Sequence, residues 1–235
     1  MASVKQIFFV LAISALLIGA IGWWVEYNAA PPELLLDVNE ELEGPLSPEE
    51  LKIDKPEITN TMNRIAVMKT NKGTIEIELF EDLMPITTAN FIKLAEEGFY
   101  DGMKFHRVID SFMVQAGDPN TKGDDVETYG RGGPGYTIQD EFVAGENLTN
   151  VRGTIAMANT GQPNSGGSQF FINTVDNQAL DFDKEPFSSK HPVFGRVVNG
   201  MTEVVDVISN VPVTPGNNMP VEPVVIESVT IESRG

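Results

Sequence analysis

Apolar residues recur along this chain at two periods, and each predicts a different element. Ile65-Ala-Val-Met-Lys-Thr-Asn-Lys-Gly-Thr-Ile-Glu-Ile-Glu-Leu79 reads as two alternating strands around Asn71-Lys72-Gly73, a hairpin. From Pro85 to Glu97 the period lengthens. Ala89, Phe91, Ile92, Leu94 and Ala95 form one stripe between an opening Pro and a closing Gly98, which predicts a helix. Lys104 to Asp118 returns to the short period, as two strands joined at Asp110-Ser111. There Phe105 and Val108 serve a core while Arg107 faces elsewhere, and Phe112, Met113 and Gln115 follow closely. A Gly-rich loop runs from Gly117 to Gly135. Further short strands are predicted at Gly153–Ala158, Ser168–Asn173, Val193–Val198 and Val224–Glu232. A second helix fits Met201 to Ser209, with Val204, Val205 and Ile208 inward. Many short strands, two helices and no strand–helix alternation predict an antiparallel barrel or sandwich with helices at its ends.

The N-terminal part has neither period. Ile7 to Val25 is apolar on all faces, and its 19 residues span about 28 Å as a helix, roughly the thickness of a bilayer core. Trp23, Trp24 and Tyr27 close it, where interfacial aromatics belong, and Lys5 precedes it. The expectation is a transmembrane signal-anchor at 7–25, with residues 1–6 cytoplasmic and everything after Glu26 outside. The alternative is a cleaved signal peptide and a secreted product; Ile18-Gly-Ala20 is a poor cleavage site and Asn28-Ala-Ala30 a marginal one. Residues 26–61 form an acidic linker. From Glu26 to Asn60 there are ten acidic residues against Lys52 and Lys55, and five prolines. Such a stretch buries too little apolar area to offset its ordering entropy. One short helix is expected at Ser47-Pro48-Glu49-Glu50, where a capping Ser precedes Pro. Residues 62–235 make the folded domain.

Composition removes several function classes. The 235 residues are 41% hydrophobic and 21% charged, a globular balance with room for one sizeable core. A net charge of −18 opposes nucleic-acid binding, which needs phosphate-neutralising Lys and Arg. The absence of Cys removes disulfides, thiolate catalysis and Cys-ligated zinc. Two His without Cys do not make a zinc set, and no Gly-x-Ser-x-Gly elbow marks a nucleophile. No metal and no cofactor is expected. Asp124, Asp125 and Glu127 read as a solvated acidic loop without EF-hand spacing. Asn147-Leu-Thr149 is an N-glycosylation tripeptide of a kind common by chance.

Six motifs in fixed order carry a resemblance. They are Phe105-His-Arg-Val-Ile109, Phe112-Met-Val-Gln-Ala-Gly-Asp118, Gly130-Arg-Gly-Gly-Pro-Gly135, Met157-Ala-Asn159, Gly167-Ser-Gln-Phe-Phe-Ile172 and Val193-Phe-Gly195. With them the chain resembles the cyclophilin-type peptidyl-prolyl cis-trans isomerases over nearly all of residues 62 to 233. The resemblance implies a mainly β fold, an eight-stranded antiparallel β-barrel capped by two α-helices, with the site on the outer barrel surface. It implies a catalytic role for Arg107 and a proline pocket of Phe112, Met113, Phe171, Leu180 and His191. It implies peptide-backbone contacts at Gln115, Ala158, Asn159 and Gln169, and a neighbouring groove at Gly130 and Thr160. His106 is expected to be structural. The implied partners are proline-containing unfolded or partly folded polypeptides. The chain departs from the family pattern at Ala179, where an aromatic residue usually supports cyclosporin binding, so weakened cyclosporin binding is expected. It also departs at the longer Asp118–Tyr129 loop and at Asp183-Lys-Glu-Pro-Phe-Ser-Ser-Lys190.

These residue types suit rotation about an X–Pro bond. Amide resonance bars that rotation by roughly 18–20 kcal/mol. In the twisted transition state the proline nitrogen regains its lone pair, and a donor aimed at it stabilises that state above either planar ground state. Arg is always charged and offers several fixed donors. The expected function is therefore prolyl isomerisation without a covalent intermediate. A membrane-tethered, non-catalytic proline-peptide-binding chaperone or docking module is the alternative.

Overall fold

The computed structural model describes residues 63–187 and 189–233. The expected transmembrane segment 7–25 and the linker 26–61 lie outside the described residues. Among the described residues no helix is long and apolar enough to cross a membrane.

Eight strands form one antiparallel sheet. In chain order they are β1 (Ile65–Thr70), β2 (Gly73–Leu79), β3 (Arg107–Ile109), β4 (Met113–Ala116), β5 (Thr154–Met157), β6 (Phe170–Asn173), β7 (Val193–Asn199) and β8 (Ile226–Glu232). Helix α1 spans Pro85–Glu96, and α2 spans Asp206–Ser209. The spatial order is β3-β4-β6-β5-β7-β2-β1-β8. The outermost strands do not pair directly. Instead the segments just before them meet, with Gly102 N–H donating to Ile226 O at 2.8 Å, Ile226 N–H to Met103 O at 2.8 Å and Phe105 N–H to Val224 O at 2.9 Å. The sheet thereby curls round a core that includes Ala66, Met68, Ile75, Ile77, Val114 and Phe170, none of them accessible to solvent. Phe91 of α1 closes one end, with its ring 5.1, 5.7 and 5.4 Å from those of Tyr100, Phe170 and Phe194.

The expected elements are present, and their ends move for local reasons. The hairpin turns at Asn71-Lys72, with Gly73 (φ +129°) already opposite Thr70 in the ladder. Strand β6 begins at Phe170 and not at Ser168. The Ser168 hydroxyl donates to Gly117 O at 2.7 Å, and a Cβ on Gly117 (φ +89°) would stand 2.3 Å from Ser168 O. Backbone contact this close admits only Gly at 117. Strand β8 starts at Ile226, because Val225 exchanges hydrogen bonds with Asn71 beforehand. The predicted helix Met201 to Ser209 divides into a π-helical turn, Met201–Val205, and α2. Val204 and Val205 both donate to Gly200 O at 3.0 Å, which widens that turn.

Helix α1 has no capping side chain of its own, since Met84 occupies that position. Its first free N–H groups are taken by Glu141, whose carboxylate accepts from Ile86 N at 3.0 Å and Thr87 N at 2.9 Å. An anion at a helix N-terminus also opposes the positive end of the helix dipole.

Candidate active site

Strand period and register assemble the site. Arg107 lies opposite Gln115, and Gln115 opposite Phe171. Successive strand residues face opposite sides, so Val108, Val114, Phe170 and Ile172 point into the core. The outer face of β3, β4 and β6 is left with Arg107, Met113, Gln115 and Phe171.

Polar groups on this face form a one-directional chain of donors. The Arg107 guanidinium donates to Gln115 Oε1 at 3.3 Å and lies 4.0 Å from Met113 Sδ. Gln115 Nε2 donates to Gln169 Oε1 at 3.0 Å, and Gln169 Nε2 donates to Gly132 O at 2.8 Å. Each amide is thereby fixed in one orientation. Burial draws the Arg107 pKa below the ordinary guanidinium value, and it remains charged.

The apolar wall is built by a second network. His191 stands edge-on to Phe171, with ring centroids 5.3 Å apart. His191 Nδ1 lies 3.1 Å from Met157 O, which assigns the proton to Nδ1 and leaves Nε2 free. Burial lowers the His191 pKa, so the ring is neutral at pH 7. Its backbone N–H donates to Leu180 O at 3.0 Å. Leu180 ends a 3-10 turn, Gln178–Leu180, anchored by the next residue, Asp181. Asp181 is buried, and its carboxylate accepts from the Thr149 hydroxyl, from Asn150 N at 2.7 Å and from Asn150 Nδ2 at 2.8 Å. Asn150 also donates to His191 O at 3.0 Å and accepts from Asn173 Nδ2 at 3.0 Å. Asn177 Nδ2 holds Phe112 O at 2.8 Å. Asn150, Asn173, Asn177 and Asp181 thus position Phe112, Leu180 and His191 without facing the site. Sequence reasoning passed over all four; the polar residues flanking Leu180 were the available signal.

Gln115, Gly130, Ala158, Asn159, Thr160 and Gln169 line a neighbouring groove of about 510 Å³, together with Arg131, Tyr136 and Ser165. Every candidate residue therefore falls on the outer face, the wall or the groove. The Asn159 side chain donates to Lys190 O at 2.6 Å and accepts from Gly161 N at 3.0 Å, which orients its amide at the groove. His106 is buried behind the site, in keeping with a structural role. Ala179 is exposed beside Leu180. Among the described residues no group of three or more His, Asp or Glu is placed to hold a metal ion.

The family model for cyclophilin type peptidyl-prolyl cis-trans isomerase/CLD matches residues 65–231, the whole curled sheet and the site upon it. The chain belongs to the cyclophilin-type peptidyl-prolyl isomerases. A peptidyl-prolyl cis-trans isomerase of Acinetobacter baylyi is 42% identical over 174 residues, covering 73% of this chain and 87% of the relative. Peptidyl-prolyl cis-trans isomerase A of Dickeya dadantii is 40% identical over 179 residues, covering 75% and 88%. A crystal structure of a Cryptosporidium parvum cyclophilin, obtained in the presence of the dipeptide Ala-Pro, aligns with a TM-score of 0.61 at 28% identity. It covers 72% of this chain and 99% of that one. This cyclophilin is thus an enzyme of X–Pro isomerisation, and its outer barrel face is the place to seek the chemistry.

Proposed function

We propose that Arg107 is the catalytic residue of this cyclophilin, acting on a proline seated against Phe112, Met113, Phe171, Leu180 and His191. The one-directional donor chain from Arg107 through Gln115 and Gln169 carries the reading. It holds the guanidinium before substrate arrives, so little reorganisation is needed when the imide nitrogen becomes an acceptor. The apolar wall excludes water and strengthens that hydrogen bond. Gln115, Ala158, Asn159 and Gln169 hold the peptide backbone while the prolyl bond turns, with Gly130 and Thr160 receiving a flanking residue. A protease-coupled peptide assay on wild type and Arg107→Ala tests the assignment.

No proton is transferred in this mechanism, which gives it a pH signature. Burial holds both His106 and His191 below the ordinary value of 6.5. The unfolded chain therefore takes up these protons at higher pH than the folded one. Their contribution to stability is complete above about 6.5 and is lost as pH falls through the depressed folded values. Glu81 and Asp206, lowered by Arg64 and Arg152, act only further down, beneath 4.5 and 3.8. Urea midpoints are expected to be level above neutrality and to fall on acidification past 6.5. Turnover is expected to be flat over the same upper range. A rate that climbs through neutrality as a base ionises contradicts the mechanism.

The cellular setting belongs to the same proposal. The apolar segment Ile7–Val25 acts as a single-pass anchor, and the acidic linker presents the isomerase to exported chains outside the cytoplasm. Protease added to intact cells should then remove the domain, and N-terminal sequencing should find the segment retained. A mature protein beginning after Ala30 establishes the secreted alternative instead.

A further inference from the structure

The groove beside the donor chain has an asymmetric charge. Among its lining residues Arg131 is the single ionised side chain, and no carboxylate lines it. Neutral polar groups, among them Gln115, Thr137, Thr160, Ser165 and Gln169, make up the rest of its polar surface. Lys93 adds a second cation nearby, 5.1 Å over the ring of the groove residue Tyr136. This is an unusual lining in a chain with 34 acidic against 16 basic residues.

Arg131 is also the arginine left over. Among the described residues Arg64 pairs with Glu81, Arg152 with Asp206 and Arg196 with Glu78. Arg107 is held by Gln115. The Arg131 side chain is exposed and has no hydrogen bond or ion pair among the described residues; its backbone N–H donates to Thr128 O. Its backbone is held on the far side. Gly130 before it takes φ +81°, and Gly132 after it accepts from Gln169 and abuts the Asp118 carboxylate, so closely that a Cβ there would clash. A fixed backbone carrying a free guanidinium at the edge of a cavity suits recognition of an anion by paired N–H donors.

We propose that Arg131 makes this groove select an acidic side chain flanking the X–Pro dipeptide, so that acidic proline segments are the preferred substrates. The inference rests on the assignment of the proline pocket to the Phe171–His191 wall, which places the groove beside the bound dipeptide. Solvent screening limits the gain. An exposed Arg–carboxylate pair changes an equilibrium by about two- to five-fold.

The test uses the full chain and proline tetrapeptides carrying Glu, Gln or Lys, in turn, on either side of the X–Pro unit. At one of the two positions kcat/KM is expected to follow Glu above Gln above Lys, with about a two- to five-fold step between Glu and Gln. Arg131→Glu should reverse the order, Arg131→Gln should flatten it, and added salt should compress it in the wild type. The quantity read is the ratio between peptides, so a general change in activity does not obscure it. Wild-type ratios within twofold at both positions, or an order untouched by Arg131→Glu, overturn the proposal. Loss of turnover on every peptide in Arg107→Ala reads the proline-pocket assignment separately.

Discussion

Replacing Arg107 with Ala is expected to lower kcat/KM by about 100- to 1000-fold, the usual consequence of removing one preorganised donor from a transition state. The fold should not register the change. Arg107 is exposed and starts a three-residue strand, and its side-chain partners are Gln115 and Met113 Sδ. Unfolding free energy is expected to stay within about 0.5 kcal/mol of wild type. Arg107→Lys should recover little. A Lys ammonium is a compact point charge without the planar fork that can meet Gln115 and the imide nitrogen together. The coupled peptide assay and a urea titration on the same preparations provide both readings. Wild-type turnover by a well-folded Arg107→Ala removes the Arg from the mechanism and leaves the apolar wall to explain the rate.

The second large effect is expected at a residue that never meets substrate. Asp181 is 4% exposed and receives three hydrogen bonds from Thr149 and Asn150. Asp181→Ala removes a buried charged acceptor and leaves the Asn150 backbone N–H unsatisfied, for a loss of about 3 kcal/mol. Activity should suffer through KM, because Asn150 holds the His191 carbonyl and the 3-10 turn carries Leu180. Asp181→Asn keeps one acceptor oxygen and should lose about half as much. Urea unfolding at constant m separates the stability term, and steady-state kinetics read the KM. An unchanged midpoint in Asp181→Ala means that the network is redundant.

Local pattern carried most of the fold. The hairpin, α1 and the eight strands follow from period and punctuation, because each is decided by residues within a few positions. Strands β4 and β6 show the limit. Phe170 and Phe171 are both buried, one by the core and one by the His191 wall, so alternation no longer tells inside from outside. The residues proposed for the proline pocket could be grouped only through motif resemblance, since Phe112, Met113 and Phe171 taken singly look like core. The supporting shell was legible only as polar residues flanking Leu180, without their partners. Glu141 caps a helix from 55 residues away, and Asp181 finds Asn150 across 31. Partners that distant leave no local trace.

The contacts from Gly102, Met103 and Phe105 to Val224 and Ile226 also bear on the company this enzyme keeps. Unpaired strands of any other chain seek sheet margins with free N–H and C=O groups. Here both margins are spoken for where the sheet curls back on itself, and Val108 N–H on β3 is bonded to Asn218 O at 2.8 Å. At that seam an extended segment from another chain finds no free backbone ladder to join.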